Sequence, residues 1–184
     1  PDLMHHNLYF VDNWRENFDS IYVDKKVPEN ASIYVCNPTK TDPSLAPEAH
    51  ENLFILMPLP AGVALSDDEQ SQLADRAIEL FARAIDVPDL AQRITTRHIF
   101  GPRDFGSEFN AWQYNAFGGE SHLLFQSVIF RTSNKSRKVK NLYYVGAGTV
   151  PGIGLPMCLI GAQLTYKKIT GNRKAGPLAE SDLS

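Results

Sequence analysis

Four glycines fall within nine residues late in this chain, in the string Gly146-Ala147-Gly148-Thr149-Val150-Pro151-Gly152-Ile153-Gly154. Ahead of them, residues 141–145 (NLYYV) read as a buried strand. Behind them, residues 155–169 read as a helix, with Pro156 near its first position and Gly171 just past its end. A strand, a glycine-rich turn and a helix together make a seat for an anion or a cofactor. Glycines lack the Cβ that would hold a ligand off the backbone. The free N–H groups at a helix start favour negative charge or an electron-rich ring edge. Pro151 and Pro156 stiffen the turn, and Lys167 and Lys168 suit the negative end of the helix dipole. From Leu155 to Leu164 the helix is apolar almost all round, which predicts burial. The turn does not open a Rossmann fold. In the GxGxxG spacing Pro151 stands where the third glycine belongs, and only a short polar tail follows Gly171. It therefore closes a fold. Taken alone, the same pattern also fits close helix–strand packing with no ligand.

The elements that position this turn lie upstream. Residues 8–11 form an apolar run, and 12–19 hold a helical turn. Residues 32–36 (SIYVC) and 52–59 (NLFILMPL) read as strands joined by a proline-rich loop, a hairpin-like pair in a mixed or antiparallel sheet. Ser66 opens the clearest helix. Ser66 and Glu69 have the capping-box spacing, and Asp67 and Asp68 sit in its first turn. Leu73, Ala77, Leu80, Phe81 and Ala84 recur on one face. Residues 94–100 alternate as a strand does, 108–119 read as irregular, and 123–130 as extended.

Composition narrows the function classes. The net charge of −3 over 184 residues gives no basic field for nucleic acid. Cys36 and Cys158 lie outside any CxxC spacing. The five histidines (His5, His6, His50, His98 and His122) share no ligand spacing with cysteines or carboxylates, which argues against a metal site. No signal peptide is visible after Pro1. No apolar run reaches a membrane span; residues 53–65 come closest and are broken by Pro58, Pro60 and Gly62.

The string NLYYVGAGTVPGIGLPMCLIGAQLT resembles the C-terminal flavin motif of phytoene desaturases of the bacterial and fungal type. Asn141, Leu142, Tyr143, Gly146, Ala147, Gly148, Thr149, Pro151, Gly152, Gly154 and Pro156 match it; Val150 stands where the family commonly has histidine. Residues 32–51 (SIYVCNPTKTDPSLAPEAHE) are similar to a second segment of that family, with Ala49 where glycine is usual, and HHNLYF near His5 also resembles it. The likeness covers roughly residues 5–170.

The resemblance implies an α/β fold: a two-lobed, C-terminal fragment of a glutathione-reductase-like FAD fold with a mixed or antiparallel-sheet substrate domain. Residues 1–100 would be substrate domain, 101–171 the end of the FAD-binding domain and 172–184 a polar tail. The Rossmann part that holds the ADP half of FAD would precede Pro1. The implied cofactor-binding residues are Gly146, Ala147, Gly148, Gly152, Ile153, Gly154, Leu155, Pro156 and Met157, with the helix start facing the flavin ring. The implied reaction is hydride and proton removal from phytoene toward lycopene, in an apolar tunnel. Such a substrate implies peripheral contact with a membrane on its cytoplasmic side. Asp42, Glu48, His50 and Glu51 are proton acceptors by type only; loop capping and solvated charge is the competing reading. Arg131 reads as an ion-pair partner and Cys158 as core. Neighbouring readings are a carotene isomerase, retinol saturase or amine oxidase of the same superfamily, and a non-catalytic lipid-binding fragment at a membrane surface.

Overall fold

The structure, a computed structural model, describes residues 2–117, 123–127 and 130–182. Two compact units divide the chain, Pro1–Asn115 and Ala116–Ser184.

The first unit is built on three short antiparallel strands in the order β1 (His6–Tyr9), β2 (Ile33–Cys36), β3 (Phe54–Leu56). Register pairs His6 with Cys36 and Tyr9 with Ile33, then Val35 with Ile55. The hairpin-like pair expected from the sequence is β2–β3. Alternation puts Ile33 and Val35 on the buried face of β2 and Tyr34 and Cys36 on the other. Helix α1 (Trp14–Tyr22) follows β1 and is capped by Asn13, whose side chain accepts from Glu16 N–H. Buried Asn17 fastens α1 to β2 by accepting from Ser32 N–H at 3.0 Å.

Helix α2 (Asp67–Ala84) begins with the expected capping box: Ser66 Oγ accepts from Glu69 N–H, and the Glu69 carboxylate accepts from Ser66 N–H at 2.8 Å. Its buried face is Ala77, Ile78, Phe81 and Ala82, while Ala84 is exposed. Phe81 is fully buried against Ile33 and Val35, with the Tyr9 ring edge-on at 5.6 Å. This sheet-on-helix contact is the core of the first unit.

Two sequence expectations fail here. Residues 94–100 make no strand. Arg97 in their middle is held by Asp75 and Ser71 of α2, so the segment follows the helix and does not join a ladder. Part of the stretch taken as irregular is instead helical, because α3 (Pro102–Phe109) starts two residues beyond Phe100. Pro102 sits at its first position, and Asp104 accepts from Gly101 N–H at 2.7 Å. Phe105 and Phe109 of α3 then pack on Phe100.

In the second unit α4 (Leu155–Thr170) runs as expected, ending at Gly171 in the left-handed conformation. Residues 141–145 do not form a strand: Tyr143 makes one isolated bridge to Lys135, and Leu142, Tyr144 and Val145 are exposed. A buried parallel strand needs a ladder on each side, and among the described residues of this unit there is none. Burial of α4 is also corrected. Leu155, Leu159 and Ile169 are exposed, and only Gly161 and Thr165 are buried, because the unit has too few elements to cover an all-round apolar helix. Residues 124–126 form a 3-10 turn, not an extended segment; residues 118–122 (with His122) and 128–129 lie outside the described residues.

Candidate functional site

The glycine turn is held from behind by side chains that leave its front open. Asn134 is fully buried. Its amide donates to Val150 O at 3.0 Å and to Thr149 Oγ1 at 3.2 Å, and its oxygen accepts from Lys168 Nζ at 3.3 Å. Thr149 Oγ1 donates in turn to Gly146 O at 2.9 Å, closing the first half of the turn on itself. Val150 N–H donates to Thr132 O at 3.0 Å. The Val150–Pro151 peptide bond is cis. Helix α4 reaches the turn through Gly161, where a Cβ would lie 3.5 Å from Val150 O. Thr165 donates to Gly161 O and to Tyr144 O, tying the helix to the segment that leads in.

Among the described residues Arg131 has no carboxylate partner and bonds the backbone instead. Its Nη1 donates to Ala147 O at 2.6 Å, and its guanidinium lies under Gly152, where a Cβ would meet Nε at 3.2 Å. It neutralises carbonyl charge inside the turn and so makes the front relatively more attractive to an anion.

The glycines serve two different needs. Gly146, Gly152 and Gly154 have φ of +116°, +140° and +108°, which a side chain would strain. Gly148 has no such φ, and a Cβ there would meet nothing within 4 Å. The fold itself therefore does not require glycine at 148; the exposed, Cβ-less surface is a cradle that a ligand could fill. Among the described residues the N–H groups of Gly152, Ile153 and Gly154 have no acceptor, and they lead into the N-terminus of α4. All nine sequence-assigned residues, Gly146, Ala147, Gly148, Gly152, Ile153, Gly154, Leu155, Pro156 and Met157, lie on this one turn and helix start. Free N–H donors, a helix N-terminus and apolar Leu155 and Met157 beside them form a donor set whose chemistry suits a ligand with an anionic part and an apolar ring, as a flavin nucleotide has.

Sequence reasoning assigned Asn134 and Thr149 no structural task. Thr149 lay inside the motif, but nothing in the string marks Asn134, which acts across 15 residues.

In the first unit a cavity of about 750 Å³ opens between the sheet and α2. Leu53, Ile55 and Met57 line one side, Leu73 and Ile78 the other, and Phe100 one end. His50 and Glu51 reach its rim. The type-only proton acceptors fall largely to loop work. Asp42 accepts from Ser44 Oγ at 2.7 Å and Ser44 N–H at 3.0 Å, and these bonds hold its carboxyl below the ordinary range. His50 Nδ1 bonds Glu48 O at 2.9 Å, and Thr39 Oγ1 donates to Glu51.

Across the opposite sheet face, His5, His6 and Cys36 bring their ligand atoms within 4.8 Å of one another. Sequence spacing could not show this, since 30 residues separate His6 from Cys36 and only strand register joins them.

No protein-family model matches the chain. The chain is homologous to the carotenoid and phytoene desaturases. It is 37% identical over 167 residues to the carotenoid 3,4-desaturase of Haloarcula japonica, an alignment that covers 91% of this chain and 33% of the relative. It is 38% identical over 172 residues to the zeta-carotene-forming phytoene desaturase of Myxococcus xanthus, covering 92% and 33%. To the lycopene-forming phytoene desaturase of a Paracoccus species it is 35% identical over 167 residues, covering 89% and 33%. The chain thus spans about one third of the length of the relatives it matches.

Proposed function

We propose that this chain forms the C-terminal third of an FAD-dependent desaturase that converts phytoene toward lycopene. The observation that carries the reading is the turn 146–157: glycine at 148 where the fold does not need it, N–H groups without acceptors, and an apolar helix start beside them. Gly146, Ala147 and Gly148 would lie along the ribityl-pyrophosphate, and Gly152, Ile153, Gly154, Leu155, Pro156 and Met157 along the flavin ring. When bound, the flavin would supply the two-electron acceptor for dehydrogenation of a C–C bond. The chain's own contribution is positional. Asn134 and Arg131 fix the turn from behind, and the N-terminus of α4 favours negative charge at the ring edge.

Residues 1–100 would belong to the substrate domain, 101–171 to the FAD-binding domain, and 172–184 to a polar tail. The cavity beside α2 mixes an apolar stretch (Leu53, Ile55, Met57, Leu73, Ile78) with charged Arg93 and Arg97; the apolar stretch supports a hydrocarbon substrate, because a polyene offers no polar group to recognise and must be held by shape. Among the described residues no helix is long and apolar enough to cross a membrane. A hydrocarbon substrate dissolved in the bilayer is what supports peripheral contact with it, on the cytoplasmic side in this reading.

The test is expression of the complete gene product containing these residues in a phytoene-accumulating host. Flavin absorbance in the purified protein and coloured, conjugated carotenoid in the cells are the expected results. A flavin-free protein, or a flavoprotein that leaves phytoene untouched, overturns the reading; a product other than lycopene corrects its substrate step alone.

A further inference from the structure

On the face of the sheet that looks away from Phe81, antiparallel register sets His6 directly opposite Cys36, and His5 leads into the same corner. The rings of His5 and His6 lie 4.4 Å apart between centroids. One imidazole nitrogen from each and Cys36 Sγ fall within 4.8 Å of one another. Cys36 and His5 are half-buried and His6 is exposed, so the group is sheltered yet open to an ion from solvent. Both imidazoles are oriented by hydroxyls: His5 Nδ1 bonds Thr41 Oγ1 at 2.5 Å, and His6 Nδ1 bonds Tyr34 Oη at 2.8 Å. With the hydrogen on Nδ1, each ring donates to its hydroxyl and turns the lone pair of Nε2 to other use. Metal-bound histidines are fixed by outer partners in the same manner. Cys36 is free of any disulfide.

We propose that His5, His6 and Cys36 bind one zinc ion. Two imidazoles and a thiolate are a borderline-soft set suited to zinc. Tetrahedral bonds of about 2.0–2.1 Å to nitrogen and 2.3 Å to sulfur put ligands roughly 3.3–3.6 Å apart, so rotation of these side chains by about an ångström closes the set. Solvent takes the fourth position. The ion clamps β1 to β2 at the end of the sheet, where Asn37 N–H already donates to His5 O at 2.8 Å. Tyr34 and Thr41 are its positioning residues. The site is made of residues of the first unit alone, whereas the glycine turn belongs to the second, and the proposal does not rest on flavin binding.

The test is a Co²⁺ titration of the reduced, metal-free chain, followed by Zn²⁺ displacement. A sulfur-to-cobalt charge-transfer band that saturates at one equivalent and is bleached by Zn²⁺ is the expected result. Cys158→Ser keeps the band and Cys36→Ser loses it. Tyr34→Phe retains all three ligands and weakens Co²⁺ binding by about 10- to 100-fold, through lost orientation of His6. Zn²⁺ also raises the urea midpoint of the parent chain with the logarithm of its free concentration once that exceeds Kd, and this rise disappears in Cys36→Ser. The metal-free midpoint and circular dichroism of each variant report whether it has folded. No band in the parent chain, a band that survives Cys36→Ser, or unaltered affinity in Tyr34→Phe overturns the assignment.

Discussion

Replacing Gly148 by alanine separates a glycine kept for a ligand from one kept for the backbone. At Gly148 a Cβ would meet nothing within 4 Å, and φ is not in the left-handed region. Without a ligand the substitution should be neutral or should stabilise by about 0.4–1 kcal/mol, through lost freedom of the unfolded chain. With urea dependences of about 1–3 kcal/mol per molar, that moves the midpoint up by roughly 0.1–1 M. Gly154 is the control. Its Cβ would also have room, with the nearest atom 4.0 Å away, but its φ of +108° and ψ of 153° lie in a region that only glycine occupies readily. Gly154→Ala should therefore cost about 1–3 kcal/mol with or without ligand. If a flavin packs on Gly148, the new methyl overfills the contact at about 1–3 kcal/mol, or roughly a 5- to 150-fold loss of affinity. The assay is flavin titration of the apo form of the complete gene product, paired with urea unfolding of the same preparation. Unaltered flavin affinity in Gly148→Ala would falsify the close approach. A destabilisation of Gly148→Ala without flavin would instead refute the claim that the fold has no use for that glycine.

Three further outcomes test the scaffold. Phe81→Ala should cost about 3–5 kcal/mol in urea unfolding, because the ring is fully buried against Ile33 and Val35; a loss below 1 kcal/mol would mean that the sheet–α2 core is not as described. Asn134→Ala leaves buried polar partners of Thr149 and Val150 unsatisfied at about 1–3 kcal/mol, and faster hydrogen exchange at residues 146–158 should report it while Phe81's surroundings stay protected. The capping box predicts an acid-dependent term. Ser66 N–H and then its hydroxyl hold Glu69 below its ordinary range, so the stabilisation is complete above the unfolded pKa of about 4.3 and is lost as pH falls through the lower folded value. The stability gap between parent and Glu69→Ala should close on acidification; a gap constant with pH would contradict it.

Local signals were legible where a few adjacent residues decide the outcome. Ser66 and Glu69 gave the start of α2, Gly171 gave the end of α4, and the β-rich run at residues 32–36 gave β2, since caps and strand preference are set within one turn or one strand. The glycine turn was legible for the same reason. Residues 141–145 and the apolar α4 misled because burial depends on what covers an element, not on the element. Their pattern states a demand for partners, and this unit does not contain enough of them.

Tertiary structure alone decided the rest. Asn134 became the bracket of the turn, Arg131 the support beneath Gly152, and Arg97 the tie that turned a strand-like segment along α2. The meeting of His5 and His6 with Cys36 belongs to the same class, because a register between two strands brings distant residues together with no trace in their spacing. The sequence by itself determined the capped start of α2, the end of α4, the place of β2 and the glycine turn that leads into α4. Which side chains stand behind that turn, and which of its glycines the backbone needs, depended on contacts between residues far apart in the chain.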